Sequence, residues 1–408
     1  TKTAYKYGEV FSPAGMAVTA RYTDGQSRTV TGYTYSPTGA LKLSDTTITV
    51  SYTEGDVTKT ATQAITVAKV LDRIAVTTPP NRTSYFSGEQ FSTAGMVVTA
   101  YYTDGSSGAV TGYTYSPAGA LAAGNTTITV SYTEGGVTKT TTQAITVTTI
   151  NTTLNSNSWA TIKAVSDAGK GDSYWDVGDT KTITINGTVQ GFTFSNLSIA
   201  VFILGFNHNS NREGSSRIHF QIGKISNKLV GLCDNSYGSY VSSGFCMNTS
   251  RTNSGGWNGS YMRKTVLGNS GTPSSPPANT LLAALPADLR AVMKSVTKYS
   301  DNTGGGSDNA GYVTATTDYL FLLAEFEYHG SRSYANSAEQ NYQKQYDYYK
   351  AGNSKVHYRH DSTGTAVDAW TRSADSGDSS YFCRVYADGT PGTDGADSSR
   401  ALAPGFAA

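Results

Sequence analysis

YKYGEVFSPAGMAVTARYTDGQSRTVTGYTYSP, residues 5–37, recurs as YFSGEQFSTAGMVVTAYYTDGSSGAVTGYTYSP at 85–117. The repeat runs without a gap through TTITVSYTEGDVTKTATQAITV (46–67) and TTITVSYTEGGVTKTTTQAITV (126–147), so two copies of one unit stand in tandem. Alternating runs such as MAVTARYT and ITVSYT flank Asp24-Gly25 and Glu54-Gly55. A Gly after an acidic residue supplies the positive φ of a tight hairpin turn, so each copy reads as several short antiparallel strands.

The second copy opens with LDRIAVTTPP (71–80), a predicted strand with no counterpart ahead of the first. That difference is expected to mark either a piece of a longer chain or an exposed sheet edge. Tyr101, Tyr113 and Tyr115 have the spacing of cross-strand packing residues.

Composition agrees with a β-rich, turn-rich protein: 408 residues contain 43 Gly, 28 Tyr and 11 Pro, with only 15% charged residues. A net charge of +1 offers no basic field for nucleic acid and no polybasic segment for an anionic membrane. The longest apolar run, IAVFILGF (199–206), is too short to span a bilayer, so no membrane insertion is expected. Three cysteines, Cys233, Cys246 and Cys383, are too few for a disulfide framework and read as buried thiols, a Cys233–Cys246 bridge being the alternative.

After Ile150 the period-2 Thr/Val pattern stops. Trp159, Ile162 and Val165 lie at helical spacing between Ser158 and Gly169, which predicts a capped helix and a domain boundary. Further helices are predicted at LPADLRAVMKSVTK (285–298) and SAEQNYQKQYDYYKAG (337–352). Strands are predicted at 180–185, 199–206, 217–223 and 318–328, between surface loops such as 268–280 and 299–312. The organisation read from these patterns is three domains, 1–70, 71–150 and 151–408.

The repeats resemble bacterial immunoglobulin-like domains, which implies two all-β sandwiches acting as spacers. In the remainder, Trp175 with VGDTKTI (177–183), ILGFNH (203–208), TNSGGW with Met262-Arg263, ALPADLRAVMK (284–294), LFLLAEFE (320–327), YYKAGNSKV (348–356) and the ending WTRS…FCRV…DG…APGF occur in order. Together they resemble the C-type lectin-fold variable proteins of diversity-generating retroelements, found in phage tails and gut bacteria. The resemblance implies a multidomain chain: two Ig-like sandwiches followed by an α+β C-type lectin-like fold. It also implies a ligand-binding surface in the C-terminal segment, which these retroelements rewrite by randomising adenines in asparagine codons. Codons produced that way cannot encode Lys, Glu, Gln, Met or Trp. These five types number 43 in residues 1–370, about four would fall in 371–408 by composition, and none does.

On that resemblance Phe382, Cys383 and Val385 hold the strand, and Pro404, Gly405 and Phe406 lock its end. Alternation turns Tyr381, Arg384 and Tyr386 outward as anchors. Tyr offers rigid amphipathic area and Arg a planar fork of donors. Val367, Asp368, Asp375, Asp378, Ser380, Asp388, Thr390, Thr393, Asp394, Asp397, Ser398 and Arg400 complete the expected surface. Relatives carry a second Trp and a Leu around the Arg-Ser pair, where this chain has Ala369-Trp370-Thr371-Arg372-Ser373. Arg372 is read as a structural ion-pair partner, with Glu325 as the suggested acid.

No catalytic residue, metal ligand or cofactor is assigned. His357, His360 and Asp361 read as a solvated loop, His208 as a hydrogen-bonded structural residue, and the EPN and WND motifs of calcium-dependent lectins are absent. The implied partner is a bacterial surface protein or glycan, bound at a phage tail or a cell surface, with a homotrimer suggested by analogy. The alternatives are a bacterial surface adhesin with the same head and a formylglycine-generating-type oxidase of the same fold.

Overall fold

A computed structural model describes all residues, Thr1–Ala408, which form two compact units, Thr1–Thr149 and Ile150–Ala408. No helix is long and apolar enough to cross a membrane.

The first unit is built of strands. The first repeat supplies β1 (Ala4–Lys6), β2 (Val18–Arg21), β3 (Ser27–Val30), β4 (Thr34–Ser36), β5 (Thr47–Glu54), β6 (Val57–Ala64) and β7 (Thr66–Ala68). The second supplies β8 (Leu71–Thr78), β9 (Ser84–Phe86), β10 (Val97–Tyr102), β11 (Ser107–Val110), β12 (Thr114–Ser116), β13 (Thr127–Glu134), β14 (Val137–Ala144) and β15 (Thr146–Thr148). Both copies contain an antiparallel β4–β5–β6 or β12–β13–β14 sheet and a parallel pair, β1–β7 or β9–β15. Gly25 and Gly55 take φ of 85° and 57°, as the hairpin turns require.

Each copy buries its own apolar cluster, one around Phe11, Leu41 and Ile48, the other around Phe91, Leu121 and Ile128. Tyr113 and Tyr115 pack against the second cluster, Tyr115 edge-on to Phe91 at 5.4 Å. Tyr101 instead lies under the Arg73 guanidinium at 3.9 Å.

The second unit opens with α1 (Trp159–Asp167), where the Ser158 hydroxyl accepts from the Thr161 amide at 3.1 Å and Gly169 ends the run at φ 67°. Its strands are β16 (Thr180–Val189), β17 (Phe192–Phe206), β18 (Ile218–Ile225), β19 (Lys228–Gly231), β20 (Val296–Asp301), β21 (Val313–Asp318), β22 (His357–Arg359), β23 (Ser362–Val367), β24 (Ala369–Ala374), β25 (Tyr381–Val385), β26 (Pro391–Gly395) and β27 (Gly405–Ala407). The main sheet runs β16–β17–β18–β19–β22–β23, and β27 adds to β18. The end of the chain is therefore part of the core. Phe406 stacks on Phe220, with Trp159 edge-on to both.

Three predicted elements differ. Residues 285–298 form one helical turn, Ala287–Arg290, before β20 begins at Val296. Leu289, Val292, Met293 and Val296 are all buried, so the apolar stripe is real, but pairing of β20 with β21 takes its end into a hairpin. Residues 337–352 break into a 3₁₀ turn (Ser337–Asn341) and a helical turn (Asp347–Lys350). Between them the Gln343 side chain donates to the Tyr299 carbonyl at 2.8 Å, which ties this break to β20. Residues 318–328 are not one strand: β21 ends at Asp318, and Glu325–His329 is helical. Glu325 and Glu327 break the apolar run because buried carboxylates must find partners, and both turn inward to backbone amides at 333–335 and at Ala324.

Candidate ligand-binding surface

Strand β24 is buried at every position, and its central charge, Arg372, is fully enclosed. A buried guanidinium needs a matched acid. Glu327 provides it, accepting from Nη1 at 2.5 Å and Nη2 at 2.8 Å, while Nε donates to Ser300 Oγ at 2.8 Å. The partner is thus Glu327 and not Glu325, which is committed to the amides of Ser333, Tyr334 and Ala335. Lys298 joins from β20, its Nζ 3.0 Å from Glu327, 2.7 Å from Glu213 and 2.8 Å from Tyr346 Oη. Burial alone would raise the Glu327 carboxyl, but Arg372 and then Lys298 hold it far below the usual range. Glu213 and Glu339 lack that balance, and burial lifts both to about 7.

His208, Glu213 and Glu327 have ligand atoms within 4.8 Å of one another, a spacing that suits a metal ion. The Lys298 ammonium already sits on both carboxylates, so the cation there is the protein's own.

Over this floor β25 runs between β24 and β26. Phe382, Cys383 and Val385 are buried, whereas Tyr381, Arg384 and Tyr386 remain partly exposed. Arg384 Nη1 donates to Asp368 and Asp394, both at 2.7 Å, and Arg400 Nη2 lies 2.5 Å from Asp394. The Arg400 Nε is 3.7 Å from Asp368, closing a ring of four alternating charges. Each member keeps between 12% and 20% of its side chain exposed. Asp368 is also anchored by the Ala387 amide at 2.8 Å.

Aromatic rings surround that ring of charge. Arg384 lies over Tyr386, 4.5 Å from the ring centroid. Arg400 and Arg359 approach Tyr237 at 5.7 and 5.5 Å, and Arg251 covers Tyr240 at 4.5 Å and Tyr381 at 5.8 Å. Gly392, paired with Arg384 across β25–β26, leaves room for Tyr386, whose ring lies 2.0 Å from where a Cβ would stand. Tyr240 is the most exposed large side chain of the patch at 64%. The result is a surface of Tyr faces and Arg forks, carried by β25, β22 and the loops beside them, suited to non-covalent recognition of a polar or planar partner.

The expected surface residues divide three ways. Tyr381, Arg384, Tyr386, Thr393, Asp394, Asp397 and Arg400 lie partly exposed on β25, β26 and the segment after them, and Asp368 joins them through the charged ring. Asp388 and Thr390 build an exposed turn, the carboxylate accepting from the Thr390 amide and hydroxyl at 2.9 and 2.6 Å; Asp378 does the same for the Ser380 amide at 2.8 Å. Val367, Asp375 and Ser398 are buried and do not belong to the surface. Val367 packs with Cys233, Ala369 and Ala401; Asp375 faces inward to accept from the Gly377 amide; Ser398 is enclosed beside the bridge it forms with Tyr240.

Tyr237, Tyr240, Arg251 and Arg359 were not read from the sequence. The available signal was SYGSY (236–240), two tyrosines spaced by three in a Gly/Ser loop. Their relevance depends on contacts far along the chain: Val241 donates to the Asp397 carbonyl at 2.7 Å and Ser399 to that of Ser239 at 2.8 Å.

His357 and His360 are buried, not solvated, and burial lowers both imidazoles, His357 to about 4. His360 accepts from the Cys233 amide at 3.2 Å. His208 stacks on Tyr346 at 3.8 Å. All three cysteines are free and buried, which pushes the Cys233 and Cys246 thiols up to about 12 and Cys383 well above its ordinary value. Thiols so held are protonated at neutral pH and serve packing.

A family model described as a domain of unknown function (DUF6273) matches residues 240–407, a span that holds every residue of this rim of Tyr and Arg side chains and its ring of charges except Tyr237. The chain is also similar to pectate lyase L of Thermoclostridium stercorarium, 33% identical over 104 residues, which is 26% of this chain and 8% of the length of that curated relative.

Proposed function

We propose that this chain is a receptor-binding or adhesive protein of a phage or prophage tail, in which two Ig-like spacers carry a C-type lectin-like head of the retroelement-diversified kind. The head binds a bacterial surface protein or glycan without chemistry, through Tyr237, Tyr240, Arg251, Tyr381, Arg384, Tyr386 and Arg400. The observation that carries this reading is the division of β25: three side chains seal the core, while Tyr381 and Arg384 face outward over a floor fixed by Arg372 and Glu327. Outward residues on so fixed a floor can change identity at little cost to folding. The absence of Lys, Glu, Gln, Met and Trp after Trp370 fits adenine-directed rewriting of this segment.

Binding is favoured over catalysis because the buried thiols and imidazoles serve packing and none sits in the rim. The lyase relative covers too small a share of either chain to bring its activity here. Several copies at a tail tip, as in a trimer, would multiply modest single-site affinity. A bacterial cell-surface adhesin with the same head is the second reading, since the rim serves either setting.

The test is twofold. The 408-residue chain should bind intact bacteria of a susceptible host and not of a receptor-deficient strain. The coding locus should hold a reverse transcriptase gene and an imperfect copy of the last coding segment that differs at adenines. Conserved adenines with no such copy would remove the diversification claim, and equal binding to both strains would remove the receptor claim.

A further inference from the structure

Where β17 ends, the second unit holds a cleft of about 570 Å³ that shares no residue with the rim. Small-molecule sites have volumes of this order. His208 and Gln343 are buried in its lining, Phe206 and Phe326 are half-buried, and Lys344, Asp347 and Lys350 stand exposed along it.

Two buried polar atoms of that lining, His208 Nε2 and Gln343 Oε1, have no hydrogen-bond partner. For Gln343 the cause is plain. Its Nε2 gives both hydrogens away, to the Tyr299 carbonyl at 2.8 Å and to Glu339 Oε2 at 2.9 Å, which fixes the amide and leaves Oε1 as an acceptor without a donor. His208 is held by stacking on Tyr346 at 3.8 Å, and Glu213 Oε1 lies 3.9 Å from its Nε2, beyond hydrogen-bond reach. Asn209 pins the turn beside it, Nδ2 donating to the Tyr342 carbonyl at 2.8 Å. The floor is therefore rigid and short of a donor, and native proteins rarely leave such atoms bare.

The charges along the cleft select what fills it. Lys344, Asp347 and Lys350 carry no ion-pair partner, and burial keeps His208 neutral by lowering its pKa to about 3. Two ammoniums against one carboxylate leave a single positive charge. A matching ligand has one acid group for the lysines, hydroxyls that donate to Gln343 Oε1 and Asp347, and a C–H face for the two phenylalanine side chains. We propose that the cleft binds an acidic monosaccharide unit, its carboxylate or phosphate held by Lys344 and Lys350 and a ring hydroxyl donating to Gln343 Oε1. With one carboxylate in the lining, recognition is direct and needs no calcium.

Saturation-transfer NMR titrations of the 408-residue chain test this. Glucuronate or glucose 6-phosphate should bind saturably with a Kd on the order of 1 mM, the tighter of the two identifying the acid group. Glucose should bind at least about threefold more weakly and glucosamine more weakly still, the differences shrinking in high salt. Cyclohexanecarboxylate, which keeps the ring and the charge but has no hydroxyls, should bind at least about tenfold more weakly than glucuronate. The double variant Lys344→Gln, Lys350→Gln changes only exposed side chains and should bind glucuronate no better than glucose. Replacing Tyr240, Arg251, Tyr381 and Tyr386 by alanine should leave glucuronate binding unchanged, which separates this cleft from the proposed receptor surface. The proposal is overturned if neither acid binds, which would make water the occupant, if cyclohexanecarboxylate binds as well as glucuronate, if the lysine variant keeps the preference for the acid, or if the rim variant loses it.

Discussion

Phe406 stacks on Phe220 with ring centroids 5.2 Å apart and 15° between their planes, so the last aromatic of the chain is locked onto a strand of the main sheet. Gly405 allows it: a Cβ there would meet the Phe321 ring at 2.7 Å, and its amide donates to the Phe321 carbonyl at 2.7 Å. The terminal segment therefore returns to the core after presenting the rim. Phe406→Ala should cost about 3–5 kcal/mol. Thermal unfolding of the second unit checks this, and a shift no larger than that of a rim substitution would show that the end is not clamped.

Arg372 and Arg384 should respond differently although both pair with acids. Arg372→Ala leaves Glu327 enclosed with Lys298 as its remaining cation, and breaking such a buried pair costs about 3–5 kcal/mol. Arg384→Ala leaves Asp368 and Asp394 beside Arg400 at a partly wet surface and should cost well under half as much. Denaturant midpoints of the two variants measure the contrast.

Gly392→Ala should displace the Tyr386 ring, three atoms of which lie within 2.6 Å of the new Cβ position. Ligand or cell binding should fall severalfold, with Gly392→Ala matching Tyr386→Ala in that assay. Unchanged binding would place Tyr386 outside the recognition surface.

His357 is neutral in the folded chain because burial lowers its pKa from 6.5 to about 4. The unfolded chain then binds the extra proton between those values, so this residue's contribution to stability is full above about pH 6.5 and is lost as pH falls towards 4. The range amounts to up to roughly 3 kcal/mol. His357→Gln should flatten the fall in melting temperature between pH 6.5 and 4; an unaltered slope would contradict the burial argument.

Periodicity made much of this architecture readable in advance. The tandem repeats, α1 behind Ser158, and strands β16 to β18 follow from local patterns that agree with their tertiary setting. Periodicity did not give the inward positions Phe382, Cys383 and Val385, two of which are adjacent; the resemblance implied them. Glu325 and Glu327 show where the reading stops: two carboxylates of one turn are both buried, and which meets Arg372 is decided by the path of the chain around them. Tyr237 and Tyr240 show the same limit for the surface, since backbone bonds to residues some 160 positions later bring them to the rim. Val367, Asp375 and Ser398 were misplaced for the complementary reason: polar or strand-end residues near a surface can be sealed by a neighbouring segment.

The most direct measurement compares binding and stability in one variant, with Tyr240, Arg251, Tyr381 and Tyr386 all replaced by alanine. If the head is a rigid floor carrying exchangeable side chains, binding to host cells falls at least about tenfold while the melting temperature of the second unit moves by only a few degrees. Undiminished binding, or a loss of binding matched by a collapse in melting temperature, would contradict it.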